Sequence, residues 1–454
     1  MSADNTQKLV PLLSFTIFFS VINGTMFNVA IPNISTQFSI LPSQVSWVVT
    51  GYTVIFALSA AIFGKLADMY PVKNLISTGL VLFNIGSLLG FLAEWYPMLL
   101  TARYIQACGA GSIPALAMLV ATRYAPPEKR GKVLGFIAST VAFGSGIGPV
   151  LGGFITNTWE WNYLFLISLF SLLAIYFYHK WLPKEEVTGG ALDIKGALLL
   201  AFTIAIFLVA VNQLIFWLLP VGLLMTFLVR HHMISTENPF IQPSLIQNRL
   251  FRNGLIAAFV TVGTVFATLF MIPIMLRDMN HLSSGEIGLV LFPGAMSASV
   301  MGAISGRIAD RVGSIPVVYA GMSLLFISLL LLSFFAGSLP IVITSILLIL
   351  YIGFSFIQSS LSNTVSRVLP PQQTGIGMGL YNLTFFISGA FISAISGKLL
   401  DFNNPSFQLN PLHFVDSATI YSNISFSFMI SVMLGLLIFH RAYYKIHLQR
   451  KATN

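Results

Sequence analysis

The sequence predicts an all-α integral membrane protein with fourteen transmembrane helices: two six-helix bundles of like orientation, a two-helix hairpin inserted between them, and both termini cytoplasmic. Three observations predict this class. Of 454 residues, 56% are hydrophobic and 8% charged, with a mean hydropathy of +0.85. Soluble chains carry roughly 25% charged residues, so lipid is the main solvent. Apolar runs of membrane-spanning length recur along the whole chain, and two motifs return in the second half in nearly one register.

A bilayer core about 30 Å thick needs roughly 20 mostly apolar residues per helix. Such runs occupy 10–32, 46–67, 74–93, 98–122, 133–156, 162–181, 196–212, 215–230, 253–276, 286–305, 315–335, 340–361, 374–397 and 421–440. The first is full-length and lacks a basic region with a small-residue cleavage site, so it reads as a span and not a signal peptide. The pair in 196–230 is short and joined only around Asn212 and Gln213, so one long helix competes with a hairpin there. Charge decides between them, because Lys and Arg concentrate in cytoplasmic loops. With a hairpin, inner segments hold 20 of the 23 basic residues, leaving Arg277 and Lys398 outside and Arg103 within a span. A single helix would put Arg307, Arg311 and Arg441 outside.

Gly64-Lys65-Leu66-Ala67-Asp68 returns as Gly306-Arg307-Ile308-Ala309-Asp310, an offset of 306 − 64 = 242. Arg123, Pro126, Pro127, Gly131 and Gly135 return as Arg367, Pro370, Pro371, Gly375 and Gly379, an offset of 244. Eight spans separate the copies, an even number, so both have the same membrane orientation. The expected division is a first bundle over 1–195, the hairpin over 196–230, a cytoplasmic linker over 231–252, and a second bundle with its tail over 253–454. Two parallel bundles framing a midplane cavity belong mainly to secondary transporters.

Other classes are excluded. No GxxxxGK[ST], no HExxH and no soluble domain is present, so neither ATP hydrolysis nor any catalytic, metal or cofactor site is expected. The excess of 23 Lys and Arg over 14 Asp and Glu forms no basic cluster in a segment able to fold in water, so nucleic acid is not a partner. Cys108 stands alone, and no intramolecular disulfide is possible.

Four stretches carry a resemblance. Gly64-Lys65-Leu66-Ala67-Asp68 looks like a loop motif between helices 2 and 3, with Pro71 where a Gly is usual. Arg103, Gln106 and Gly109 in LLTARYIQACGAG look like RxxQGxG of helix 4. Gly144, Gly148, Pro149, Gly152 and Gly153 in GSGIGPVLGG look like GxxxGPxxGG of helix 5, and Asn28, Ala30 and Pro32 in NGTMFNVAIP look like DxTxxNxALP of helix 1. Together they resemble the major facilitator superfamily, and within it the fourteen-helix drug:proton antiporters. LRDMNHLSSGEIG at 276–288 and GIGMGLYNLTFF at 375–386 are similar to tetracycline efflux antiporters of that class. This chain departs from them at Asn23, in the place of the helix 1 Asp, and at Ser145 and Gly389, where they carry membrane-embedded glutamates.

The resemblance implies export of hydrophobic, drug-like molecules, multidrug or tetracycline-type, in exchange for protons, with monovalent cations as the alternative counter-ion. It implies a multi-pass protein of the plasma membrane, expected as a monomer. Arg103 is the leading coupling residue, since a charge within the bilayer is costly and usually faces a cavity or partner; a guanidinium snorkelling to the outer interface is the alternative. Gly144, Gly148 and Gly152, with Pro149, form a bare stripe that serves either as a pivot between bundles or as ordinary close packing. Asp68 and Asp310 resemble an intracellular latch, against solvated loop charges as the alternative. Asn23, Asn28, Gln106, Gln358, Asn382 and Phe385 are the expected lining of the substrate cavity.

None of the 14 acids falls near the middle of a span, and none of the seven histidines does. Asp278, beside Arg277 at the outer end of its span, is the best remaining proton carrier; an outer-loop ion pair is the competing reading. The missing central acids keep a weakly coupled metabolite or lipid facilitator open as a rival function. A non-transporting membrane receptor is a more distant one.

Overall fold

A computed structural model describes residues 3–67, 69–124, 127–183, 185, 193–236, 239–370, 373–402 and 408–453. The helices in chain order are α1 (Ala3–Phe38), α2 (Pro42–Val45), α3 (Trp47–Leu66), α4 (Val72–Phe91), α5 (Tyr96–Tyr124), α6 (Pro127–Thr158), α7 (Leu164–Leu169), α8 (Leu173–Trp181), α9 (Ile194–Asn212), α10 (Leu218–Ser235), α11 (Pro243–Gln247), α12 (Arg249–Asn280), α13 (Ser284–Val312), α14 (Ser314–Phe335), α15 (Pro340–Ser366), α16 (Thr374–Asp401) and α17 (Thr419–Thr453). No strand occurs among the described residues. In lipid, every backbone polar group must be satisfied within its own segment, which helices achieve.

Twelve described helical stretches are long and apolar enough to cross a membrane. The fourteen-span expectation exceeds that count at 98–122 and 133–156, which fall on α5 and α6 and are not among the twelve. Both are long, at 29 and 32 residues. Each also includes side chains outside the described residues, at 121–122 in α5 and within 127–142 in α6, so the twelve is a count of the described residues alone. Segment 196–230 forms two helices, α9 and α10, and Leu214 between them takes φ 54° to turn the chain.

The chain forms two compact units. The first comprises Met1–Ile40, Trp47–Leu192 and Ser283–Phe292; the second comprises Leu41–Ser46, Asp193–Leu282 and Pro293–Asn454. In the first, Leu13, Ile17, Leu80, Phe83, Ala107, Ala110 and Leu116 form a continuous buried core across α1, α4 and α5. Polar groups cross-link it: the Thr16 and Tyr178 hydroxyls lie 2.8 Å apart, and Asn84 Nδ2 donates to Ser171 Oγ at 2.9 Å. Such inter-helix bonds are each worth about 0.6 kcal/mol on average. A Cβ on Gly109 would collide with the backbone of Phe83 and Gly79, so α4 and α5 touch main chain to main chain there.

In the second unit the α9–α10 hairpin is held at both ends. At one, Asn212 is fully buried and its Nδ2 donates to the Ser43 carbonyl at 3.0 Å. At the other, the Asp193 carboxylate accepts from Gly196 N at 2.8 Å, His232 Nε2 at 2.7 Å and Phe240 N at 2.9 Å. Burial raises the Asp193 pKa, but the bonds from His232, Gly196 and Phe240 outweigh it and hold the carboxyl below its usual value. A depressed carboxyl stabilises the fold above its unfolded pKa, about 3.9, and loses that contribution as pH falls through the lower folded value. Thermal unfolding of the detergent-solubilised protein should therefore show a stability loss on acidification below about pH 4. Asp193→Ala should flatten that dependence and cost about 1–3 kcal/mol at neutral pH; an unchanged acid limb would remove Asp193 as its source.

Candidate functional site

Arg103 occupies the interior of the first unit with 1% of its surface exposed, and it does not snorkel. Its position follows from α5, where Tyr96 and Pro97 begin the helix and Arg103 falls two turns in, toward α1, α3 and α4. The guanidinium carbon lies 4.0 Å from the ring centre of Phe27 on α1 and 3.9 Å from that of Tyr52 on α3, so both faces are covered. Cation–π contacts of this desolvated kind are each worth about 2 kcal/mol. Nη1 donates to Asn23 Oδ1 at 2.8 Å and to Gln106 Oε1 at 2.6 Å, while Nε donates to the Val48 carbonyl at 3.3 Å. Gln106 Nε2 passes the network on to Ser87 Oγ at 2.8 Å, and Ser87 meets Ser168 Oγ at 2.7 Å. Among the described residues no carboxylate lies within 4.0 Å of Arg103.

Asn23 and Gln106 are thus brought together around Arg103. Asn28 is not: its Oδ1 is buried without a partner elsewhere on α1. The helix 5 stripe packs on α1 within the same unit. A Cβ on Gly144 would meet Val21 at 3.3 Å, one on Gly148 would strike the Thr25 hydroxyl, and one on Gly152 would fall 2.5 Å from the Met26 carbonyl oxygen. Pro149 lies inside α6 on the same buried stretch. Close packing against α1 is therefore what this stripe does in the structure.

In the second unit Gln358 and Asn382 are exposed, on α15 and α16. Phe385 is only 6% exposed and sits in an aromatic cluster, 5.7 Å from Phe266 and 6.1 Å from Phe354 between ring centres. Asp278, near the end of α12, accepts from Tyr421 Oη at 2.6 Å. Both line a cavity of about 100 Å³ together with Pro42, Ile274, Leu400 and Ile420. Arg277 donates to the Leu282 carbonyl at 3.1 Å.

Asp68 lies outside the described residues, and the side chain of Asp310, on α13, does too. The repeat they belong to does show in the backbone, since Gly64 and Gly306 both face open space. Beside the first copy, Glu185 gathers a cluster that spacing did not reveal. It accepts from Val72 N at 2.6 Å at the start of α4, from the Tyr124 hydroxyl, and from Arg123 Nη1 at 3.2 Å. Arg123 Nη1 also donates to the Ala67 carbonyl at 3.1 Å. A carboxylate at a helix N-terminus is favoured by the helix dipole. Phe27, Tyr52 and Ser87 were equally absent from the expected site; as single aromatic or small polar residues in apolar runs they carry no signal of facing Arg103.

A family model for the major facilitator superfamily matches residues 13–393. The chain is 28% identical over 410 residues to the riboflavin transporter RibZ of Clostridioides difficile, covering 87% of this chain and 90% of that one. It is 25% identical over 458 residues to the lincomycin resistance protein LmrB of Listeria monocytogenes, covering 96% and 97%. Solved structures share the fold at low identity. One is a bacterial homologue of the human lysosomal transporter Spinster in an inward-facing, occupied conformation, with a TM-score of 0.68, 12% identity and 98% of both chains covered. Another is a POT family transporter in complex with a thioalcohol-conjugated peptide, with a TM-score of 0.70, 12% identity and 96% of both chains covered. With an all-helical fold of many spans and a family match over most of its length, the chain belongs to the major facilitator superfamily and is a multi-pass membrane transporter, not an enzyme.

Proposed function

We propose that this transporter exports hydrophobic, drug-like molecules across the cell membrane in exchange for protons, by alternating access. The observation that carries the reading is the Arg103 site. A buried guanidinium between Phe27 and Tyr52, bonded to Asn23 and Gln106, is an aromatic and polar cluster within the interior of the first unit, of the composition a recognition site uses. Recognition sites for small molecules combine mostly apolar walls with a few placed polar groups. The names of two relatives agree with it, one a riboflavin transporter and the other a lincomycin resistance protein. The segments 276–288 and 375–386 keep tetracycline-type substrates in the proposal.

Arg103 stays protonated and cannot carry the proton itself. Asp278 is the proposed carrier, held by the Tyr421 hydroxyl beside a cavity with room for a few waters. In vesicles with an imposed pH gradient, a tetracycline or an apolar drug should evoke proton release. Asp278→Asn should cut that release at least about tenfold while drug equilibration persists, the pattern expected when a membrane-region acid relays protons. Equal release from wild type and Asp278→Asn would remove Asp278 from the coupling. The absence of a carboxylate against Arg103 among the described residues favours a second reading, a weakly coupled facilitator. Drug flux in wild type that ignores the pH gradient would select it.

A further inference from the structure

The Arg103 site has a surplus of donors and an uncompensated positive charge. Nη1 and Nε of the guanidinium are bonded to Asn23, Gln106 and Val48, whereas Nη2 donates to no described residue. Around the same guanidinium, Asn23 Nδ2 and the Tyr52 hydroxyl are buried without partners. Asn23 is fully buried and Tyr52 is 5% exposed. A buried donor without an acceptor is costly, and a bound acceptor relieves that cost. The rings of Phe27 and Tyr52 close both faces of the guanidinium, so an incoming group meets its edge, where N–H bonds point. The sequence places none of its 14 acids in the middle of a span, so no acid there is positioned to neutralise a cationic guest.

We infer that this site selects acceptor-rich amphiphiles, neutral or anionic, whose carbonyl, carboxylate or enolate oxygens accept from Arg103 Nη2 and Asn23 Nδ2, and that it rejects lipophilic organic cations. The inference rests on the exporter reading and narrows its substrate class. In a low-dielectric interior the repulsion between Arg103 and a cation is not screened as it is in water. The rejection follows from unlike treatment of two molecules of similar shape, so specificity comes from an unfavourable contact as well as a favourable one.

Two dyes on one xanthene scaffold give the test: a fluorescein carboxylate and a rhodamine ester of matched size and opposite charge. Binding is followed by fluorescence anisotropy with the full-length protein in detergent, and flux is followed separately in vesicles. The expected result is binding of the anion at least about tenfold tighter than the cation, with flux of the anion alone. Arg103→Gln should remove the preference, and Arg103→Lys, which keeps the charge, should retain it. Equal or tighter binding of the cation, its flux at the anion's rate, or binding of neither dye would overturn the inference, and the wild-type comparison decides this even where a variant does not fold. A clear preference in binding with no flux of any compound would instead sink the exporter reading and leave the site's selectivity standing.

Discussion

Replacing Arg103 with alanine should abolish export while leaving the protein in the membrane. The side chain contributes three charge-assisted bonds, to Asn23, Gln106 and the Val48 carbonyl, and two aromatic contacts, to Phe27 and Tyr52. Interactions of these kinds are individually worth about 1.5–3 and about 2 kcal/mol. Even a fraction of that sum lost from substrate recognition amounts to about a hundredfold or more in rate. The fold should tolerate the change better than the function does. Alanine leaves Asn23 Oδ1 and Gln106 Oε1 without this donor, but it also removes a buried charge whose desolvation is costly. Arg103→Lys separates charge from shape, because an ammonium cannot fill the planar gap between the two rings or bond in the same fork. It should lose at least about tenfold in transport. The checks are the amount of each variant in washed membranes and the initial rate of drug efflux; export retained by Arg103→Ala at equal abundance would remove the residue from the mechanism.

A leucine at Gly152 should have the next largest effect, on both stability and transport. A Cβ there falls 2.5 Å from the Met26 carbonyl oxygen and 2.9 Å from its Cα, so the obstruction is backbone and cannot rotate away. The helices α6 and α1 would have to separate. Overpacking of this kind costs about 1–3 kcal/mol, and a branched side chain against main chain lies at the upper end. Met26 adjoins Phe27, one of the two rings on Arg103, so displacement of α1 reaches the site directly. Gly64→Ala is the matching control, since a Cβ at Gly64 meets nothing within 4 Å. Its thermal stability should equal wild type, measured by unfolding in detergent. A Gly152→Leu protein that unfolds at the wild-type temperature would show that α1 and α6 do not depend on this contact.

What was legible in the sequence follows from which physical signals are local. Lipid imposes long apolar runs, so the helices could be read directly; the hairpin at 196–230 needed the placement of Lys and Arg as well, and the turn at Leu214 lies within it. The spans read at 98–122 and 133–156 fall on α5 and α6, helices of 29 and 32 residues. Arg103 and Gln106 stood out because they lie one turn apart on one helix and are expensive in a bilayer. Phe27 and Tyr52 did not, because they come from other helices and an aromatic residue in an apolar run is common. The glycine stripe at 144, 148 and 152 was visible as a pattern, but not its partner, since spacing along α6 does not identify Val21, Thr25 and Met26 across from it. Glu185 was hidden for a different reason. Its role depends on the free N–H of Val72 at a helix start, a backbone group that no residue code announces.

The pinned hairpin also bears on the lipid around the protein. At 1.5 Å per residue, α9 with 19 residues and α10 with 18 reach about 28 and 27 Å, whereas α12 with 32 residues reaches about 48 Å. The long helix can extend into the headgroup region or tilt, but the short pair is held at one end by Asn212 and at the other by Asp193. A bilayer thicker than the hairpin must thin beside it, at a cost of a fraction of a kcal/mol per Å of mismatch. The exposed apolar face of α10, with Leu223, Leu224 and Phe227, makes that edge a lipid-contacting one. On these lengths the hairpin is expected to favour one acyl-chain length, and vesicles made from progressively longer lipids should show transport passing through an optimum near the thickness these two helices span.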